Sequence, residues 1–150
     1  MKNLVSVLCA TNRPWDLDEA ILRRFEKRIY IQLPNENERE QLFRLKTKGI
    51  EIDKNLDFNN LARMTSGCSS KEIVDICRDV SLLHFRIALR HNKDKKIEDI
   101  VNNDEFKNEI KTPITIDDFR TVFNSVTCRG MVDPKIFKML DDWIKEFPSV

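Results

Sequence analysis

The sequence predicts a two-part architecture: an α/β segment over residues 1–34, followed by an all-α helical unit over residues 35–150. Three observations carry this expectation. Residues 4–9 form a nearly unbroken apolar run containing Val5 and Val7, the pattern of a strand buried on both faces of a parallel sheet. Within residues 27–33, Ile29, Ile31 and Leu33 alternate with Arg28, Tyr30 and Gln32, which is the period of a strand with one apolar face. Beyond Pro34 the apolar residues recur at three- and four-residue spacing, each series introduced by a capping pair.

The elements follow in order. The first strand runs out at Ala10-Thr11-Asn12, the position where the loops of an open α/β sheet meet a ligand, so Asn12 is placed to hold a water or a phosphate oxygen. Asp16 with Glu19 forms a capping pair for a short helix that ends in Arg23-Arg24, two adjacent guanidiniums projecting from one point. Pro34 closes the second strand. Asn35 with Glu38 caps a helix with Leu42, Phe43 and Leu45 on its apolar side, stopped by Gly49. Asp57 starts a short helix containing Leu61 and Met64 and closed by Ser66-Gly67.

Ser69 with Glu72 caps the longest predicted helix, in which Ile73, Ile76, Cys77, Val80, His84 and Ile87 form one stripe while Leu82, Phe85 and Leu89 form a second. Such a helix packs from two directions. Residues 91–112 are charged and weakly apolar, and are expected as a loop with one or two helical turns. Thr115 with Asp118 caps a helix bearing Phe119, Val122, Phe123 and Val126. After a linker over residues 127–132, Asp133-Pro134 supplies a cap and a first-turn proline for a last helix carrying Ile136, Phe137, Leu140, Trp143, Ile144 and Phe147.

Composition narrows the function classes. A 150-residue chain that is 41% apolar can bury one core or two small ones. Its 26 Lys and Arg against 25 Asp and Glu leave a net charge of +1, so no global field draws it to nucleic acid or an anionic membrane. No apolar run approaches the ~18 residues of a membrane span and no secretory leader is legible, so a cytosolic protein is expected. Cys9, Cys68, Cys77 and Cys128 lack C-x-x-C spacing and a histidine in ligand register, so buried or free thiols are expected rather than a metal site. With only Gly49, Gly67 and Gly130 available, no G-x-x-x-x-G-K-[ST] phosphate cradle can be written. Nor does an apolar run end in Asp-Glu to hold magnesium.

The Ala10-Thr11-Asn12 tripeptide and the stretch from Asp18-Glu19-Ala20 to Arg24-Phe25-Glu26 resemble the sensor-1 segment and the second region of homology of the AAA ATPases. Pro14-Trp15 and Phe25-Glu26-Lys27-Arg28-Ile29-Tyr30-Ile31 resemble the meiotic clade of that family, and its katanin branch in particular. The likeness covers almost the whole chain. It implies that residues 1–34 are the end of a P-loop AAA large subdomain, with residues 35–150 its small helical lid and C-terminal helix, and hence that the chain is a fragment of the module.

The resemblance also implies roles. Asn12 would position the attacking water in its own protomer, and Arg23 and Arg24 would reach the ATP of the next protomer in a ring, by that likeness a hexamer. An arginine supplied this way contributes roughly 10³ to 10⁵ in rate. Gly67, Ser69 and Ser70 occupy the place of the sensor-2 segment, near the nucleotide, although the family commonly has Gly-Ala where Ser70-Lys71 stands here. The implied cofactors are ATP and Mg2+, and the implied substrate is the tubulin of microtubules. A cytoplasmic, cytoskeleton-associated location and a regulatory adaptor subunit are implied with them. The chain alone would be inactive.

Two other readings stay open: an ATPase that disassembles ESCRT filaments, and a non-enzymatic helical interaction module. The residues themselves carry plainer meanings too. Arginines at a helix end often form a solvated face, Asn after a strand is often a turn former, and Ser69 serves equally as a helix cap.

Overall fold

A computed structural model of the chain describes residues 5–25, 27–92, 103–125 and 134–147. Its helices are α1 (Glu19–Arg24), α2 (Glu36–Lys46), α3 (Phe58–Met64), α4 (Ser70–Ser81), α5 (Leu83–His91), α6 (Asp104–Ile110), α7 (Ile116–Ser125) and α8 (Pro134–Glu146). They fall into two compact units. The first joins Met1–Gln32 to Val132–Val150, so α8 belongs with the N-terminal residues; the second is Leu33–Met131.

The second unit is built on its caps. Asn35 and Ser69 each form a complete capping box, with Glu38 and Glu72 respectively, so the first amides of α2 and α4 are bonded from their first turn. Asp57 accepts from the amides of Asn59 and Asn60 at the start of α3. Gly49 and Gly67 adopt φ of +88° and +83°, the left-handed region in which glycine avoids a steric penalty, and they turn the chain after α2 and α3. The core inside these helices is Phe43, Leu61, Ile73, Ile76, Val80, Phe119 and Val122, all nearly inaccessible. Phe43 and Phe119 meet edge to face at 5.9 Å. A smaller cluster of Ala88 and Phe106 docks α6 onto α5. Cys77 lies in the main core, where burial pushes its thiol up to about 12 and keeps it protonated.

Several expectations change. The long helix predicted from Ser69 divides into α4 and α5 at Leu82, the shared cap of the two segments. The break lets the second apolar stripe follow its own course, with Ala88 and Leu89 facing the Phe106 cluster. The α1 cap is Asp18, whose carboxylate accepts from Ala20 at 2.6 Å. Asp16 instead ends a 3-10 turn, Pro14–Asp16, and pairs with Arg13 at 2.8 Å.

The largest change concerns the strands. Among the described residues neither 5–9 nor 27–33 forms a strand, and the one β pairing is an isolated parallel bridge between Ile52 and Ile114. Residues 5–9 and 27–33 have no ladder partner among the described residues, and apolar side chains meant for a sheet stand in solvent: Leu8 is 94% and Ile31 87% exposed. Leu4 and Glu26 lie outside the described residues. Within residues 91–112, the expected one or two helical turns appear in the described part as α6, whose seven residues make about two turns.

Candidate functional site

The first unit carries Asn12, Arg23 and Arg24. Asn12 is exposed in the bend that leads from residues 5–11 into the 3-10 turn. The backbone amide of Arg13 donates to Thr11 Oγ1 at 3.0 Å, so the threonine side chain shapes the turn in which Asn12 is exposed. Arg23 and Arg24 occupy the last turn of α1, where a cation is favoured by the helix dipole. Arg23 pairs with Glu19 at 2.6 Å, one helical turn back, and both side chains are largely exposed. Such a pair is worth roughly 0.3–0.5 kcal/mol, so a phosphate can displace it at small cost. Arg24 is exposed and makes no ion pair among the described residues.

Arg28 joins this group although no pattern in the sequence marks it. Its Nη2 donates to the carbonyl oxygen of Leu22 at 2.8 Å, and its guanidinium lies 5.0 Å from the centre of the Phe147 ring. Phe147 in turn packs on Trp143 at 5.3 Å between ring centres. Periodicity cannot signal this, because the contact joins residues more than a hundred positions apart.

Gly67, Ser69 and Ser70 sit in the second unit. A side chain built at Gly67 would meet nothing within 4 Å, so that face of the turn is open to an approaching ligand even though its φ demands glycine. Ser69 is committed: its amide and its hydroxyl both donate to Glu72 Oε2, at 2.7 and 2.8 Å. Ser70 is exposed in the first turn of α4, and Lys71 pairs with Asp75, which leans it away from the turn. The backbone at Gly67 is open and Ser70 is exposed. The Ser69 side chain fits a cap.

The histidines acquire partners as well. His84, expected in an apolar stripe, is held between Asp118, whose Oδ1 lies 3.1 Å from its Nε2, and Thr112, whose hydroxyl lies 2.9 Å from its Nδ1. His91 Nδ1 meets Glu109 at 2.8 Å. Both contacts hold α5 to residues 109–118 and have the character of structural ties. Among the described residues no group of three or more His, Cys, Asp or Glu is arranged to hold a metal, and no helix is long and apolar enough to cross a membrane.

Known proteins resemble the chain along most of its length. Residues 1–33 match the family described as "ATPase family associated with various cellular activities (AAA)". The chain is 32% identical over 147 residues to the A-like 1 form of the katanin p60 ATPase-containing subunit from Danio rerio, an alignment covering 98% of this chain and 29% of the relative. It is 36% identical to the A1 form of that subunit from Strongylocentrotus purpuratus, covering 98% and 27%. The chain thus spans less than a third of the length of these curated relatives.

Among solved structures, the FIGL-1 AAA domain superposes with a TM-score of 0.71 at 30% identity, covering 91% of this chain and 42% of that one. The same domain in complex with ADP gives 0.70 at 26%, covering 91% and 43%. A structure described as the basis for katanin self-assembly gives 0.61 at 26%, covering 75% and 38%.

Proposed function

Katanin-like AAA ATPases are homologues of this chain over nearly its whole length, and from that premise we propose that it is part of a ring-forming ATP hydrolase that severs microtubules. In this reading the chain contributes Asn12 to its own nucleotide site and Arg23 and Arg24 to the site of a neighbour. The single observation that carries it is the pair of exposed, weakly tethered guanidiniums at the end of α1, within the segment that matches the AAA family. Arginine suits the task because its planar fork stays charged and grips phosphate oxygens in two places. Asn12 would orient the attacking water, and Gly67 with Ser70 would border the nucleotide.

ATP, with Mg2+, would supply the phosphoryl group and the counter-charge for its transfer. No residue of this chain is assigned to the metal, so the chain by itself is inactive in this reading. The ADP-bound domain among its structural neighbours supports nucleotide binding, and the katanin self-assembly structure supports oligomerisation. A hexameric ring, tubulin, a regulatory adaptor subunit, and a cytoplasmic, cytoskeleton-associated location complete the proposal.

Mixed rings test it. Full-length protomers carrying Arg23→Ala and Arg24→Ala, mixed with protomers carrying Asn12→Ala, should regain ATP turnover that neither has alone, since the arginines of one complete the intact site of the other. Absence of any recovery in such mixtures, with ring assembly intact, would remove the role between protomers.

A helical interaction module remains as a second reading, favoured by the second unit's closed core of Phe43, Ile73 and Phe119. A phosphate-binding loop in frame before Lys2 in a longer transcript would decide for the ATPase. The ESCRT-disassembling alternative has less support in the sequence, because residues 91–112 carry no pair of alternating apolar runs for an inserted β hairpin.

A further inference from the structure

The helix that bears the two candidate fingers is short. α1 has six residues, too few to hold its shape by helix propensity alone, and its last carbonyls lack intrahelical donors. Something outside the helix must fix its end. Arg28 does so, since its guanidinium donates to Leu22 O at 2.8 Å, and Leu22 immediately precedes Arg23. The same guanidinium lies over the ring of Phe147, just past the end of α8, and Phe147 is backed by Trp143.

We infer that Arg28 is a positioning residue for Arg23 and Arg24, and that the aromatic end of α8 holds Arg28 in place to do it. This rests on the reading that Arg23 and Arg24 complete a neighbour's nucleotide site. The chemistry explains the residue type. An apolar side chain could cover Phe147, and a lysine could donate to a carbonyl, but a flat cation that stacks on a ring with its face while donating along its edge is an arginine. The fit is not one of full satisfaction, because the Arg28 Nε–H is buried without a partner. α8 gains a role beyond packing: through Phe147 and Arg28 it is linked to the backbone from which both arginines project.

The test uses the full-length, ring-forming protein, with ATP turnover, ring assembly by sedimentation and thermal melting measured on each variant. Arg28→Ala should lower kcat by roughly 10²-fold, the scale of a displacement of about 1 Å in a reacting group, while KM for ATP stays within about twofold. Arg28→Lys should recover part of the loss through its remaining donor, and Phe147→Leu should act in the same direction more weakly. The decisive measurement is Arg28→Ala added to the Arg23→Ala, Arg24→Ala background. There it should cause no further loss, because a positioning residue has nothing left to position.

A multiplicative further loss would show that Arg28 acts through something else. Unchanged kcat in Arg28→Ala rings would likewise overturn the inference while leaving the finger reading intact. Normal turnover of the Arg23→Ala, Arg24→Ala protein would overturn both. Should Arg28→Ala fail to fold or assemble, Arg28→Lys and Phe147→Leu carry the same comparison.

Discussion

At the scale of single residues, the contrast between Arg23 and Arg39 shows how surroundings decide what a guanidinium is for. Arg23 is held by one exposed carboxylate that a ligand can replace. Arg39 is 7% exposed, with Nε donating to Ala62 O at 3.0 Å and Nη1 to Pro34 O at 2.7 Å. It ties the start of α2 to the residue where the helical unit opens and to the end of α3. Replacing it by methionine preserves much of the packing but leaves Pro34 O without its donor and weakens the bonding of Ala62 O. Arg39→Met should therefore cost about 2–4 kcal/mol, since hydrogen bonds to charged groups contribute about 1.5–3 each. Urea unfolding would measure it, and a loss below about 1 kcal/mol would mean that these carbonyls find other donors. Arg39 was not legible as buried from the sequence. It falls on the polar side of a helix pattern, and only the packing of α3 covers it.

At the scale of elements, the capping pairs were the most readable features of the chain because they are local: donor and acceptor lie within three residues of each other. Asn35 with Glu38, Ser69 with Glu72, and Thr115 with Asp118 all close as expected. The last has a pH signature. Burial pushes the Asp118 carboxyl up, but bonds from the Thr115 amide and hydroxyl, and the neighbouring His84, outweigh it and hold the carboxyl below its usual value of 3.8. A depressed carboxyl stabilises the fold above its unfolded pKa, and that contribution is lost as pH falls through the folded value. Asp118→Ala should thus cost about 1–2 kcal/mol near neutral pH. The gap between variant and wild type should narrow once the pH drops below 3.8. Denaturant melts across that range would show a constant gap if the carboxylate charge were irrelevant.

At the scale of the whole molecule, the division into two units separates a part that satisfies itself from one that does not. Residues 33–131 enclose their own core, whereas residues 5–9 and 27–32 present Val5, Val7, Leu8, Ile29 and Ile31 to solvent with no strand beside them among the described residues. Unpaired apolar backbone of this kind invites pairing with another chain. The 150-residue chain should therefore self-associate with rising concentration, and Ile29→Lys with Ile31→Lys should shift it toward monomer in sedimentation velocity. A wild-type chain that stays monomeric at high concentration would show that these segments find cover within their own unit.

The sequence by itself determined what short-range chemistry can specify: the capping pairs of α2, α4 and α7, the glycine turns, the apolar faces of α4 and α7, and the match of residues 1–33 to the AAA family. Hydrogen bonds within three or four residues and the 3.6-residue period need no knowledge of the rest of the chain. Tertiary structure alone decided the ties of His84 and His91, the burial of Arg39 and the contact of Arg28 with Phe147. Each depends on residues far apart in the chain, and it was also tertiary structure that withheld strands from residues 5–9 and 27–33. A strand, unlike a helix, takes its backbone bonds from another segment, so an apolar run proposes one and only a neighbour can complete it.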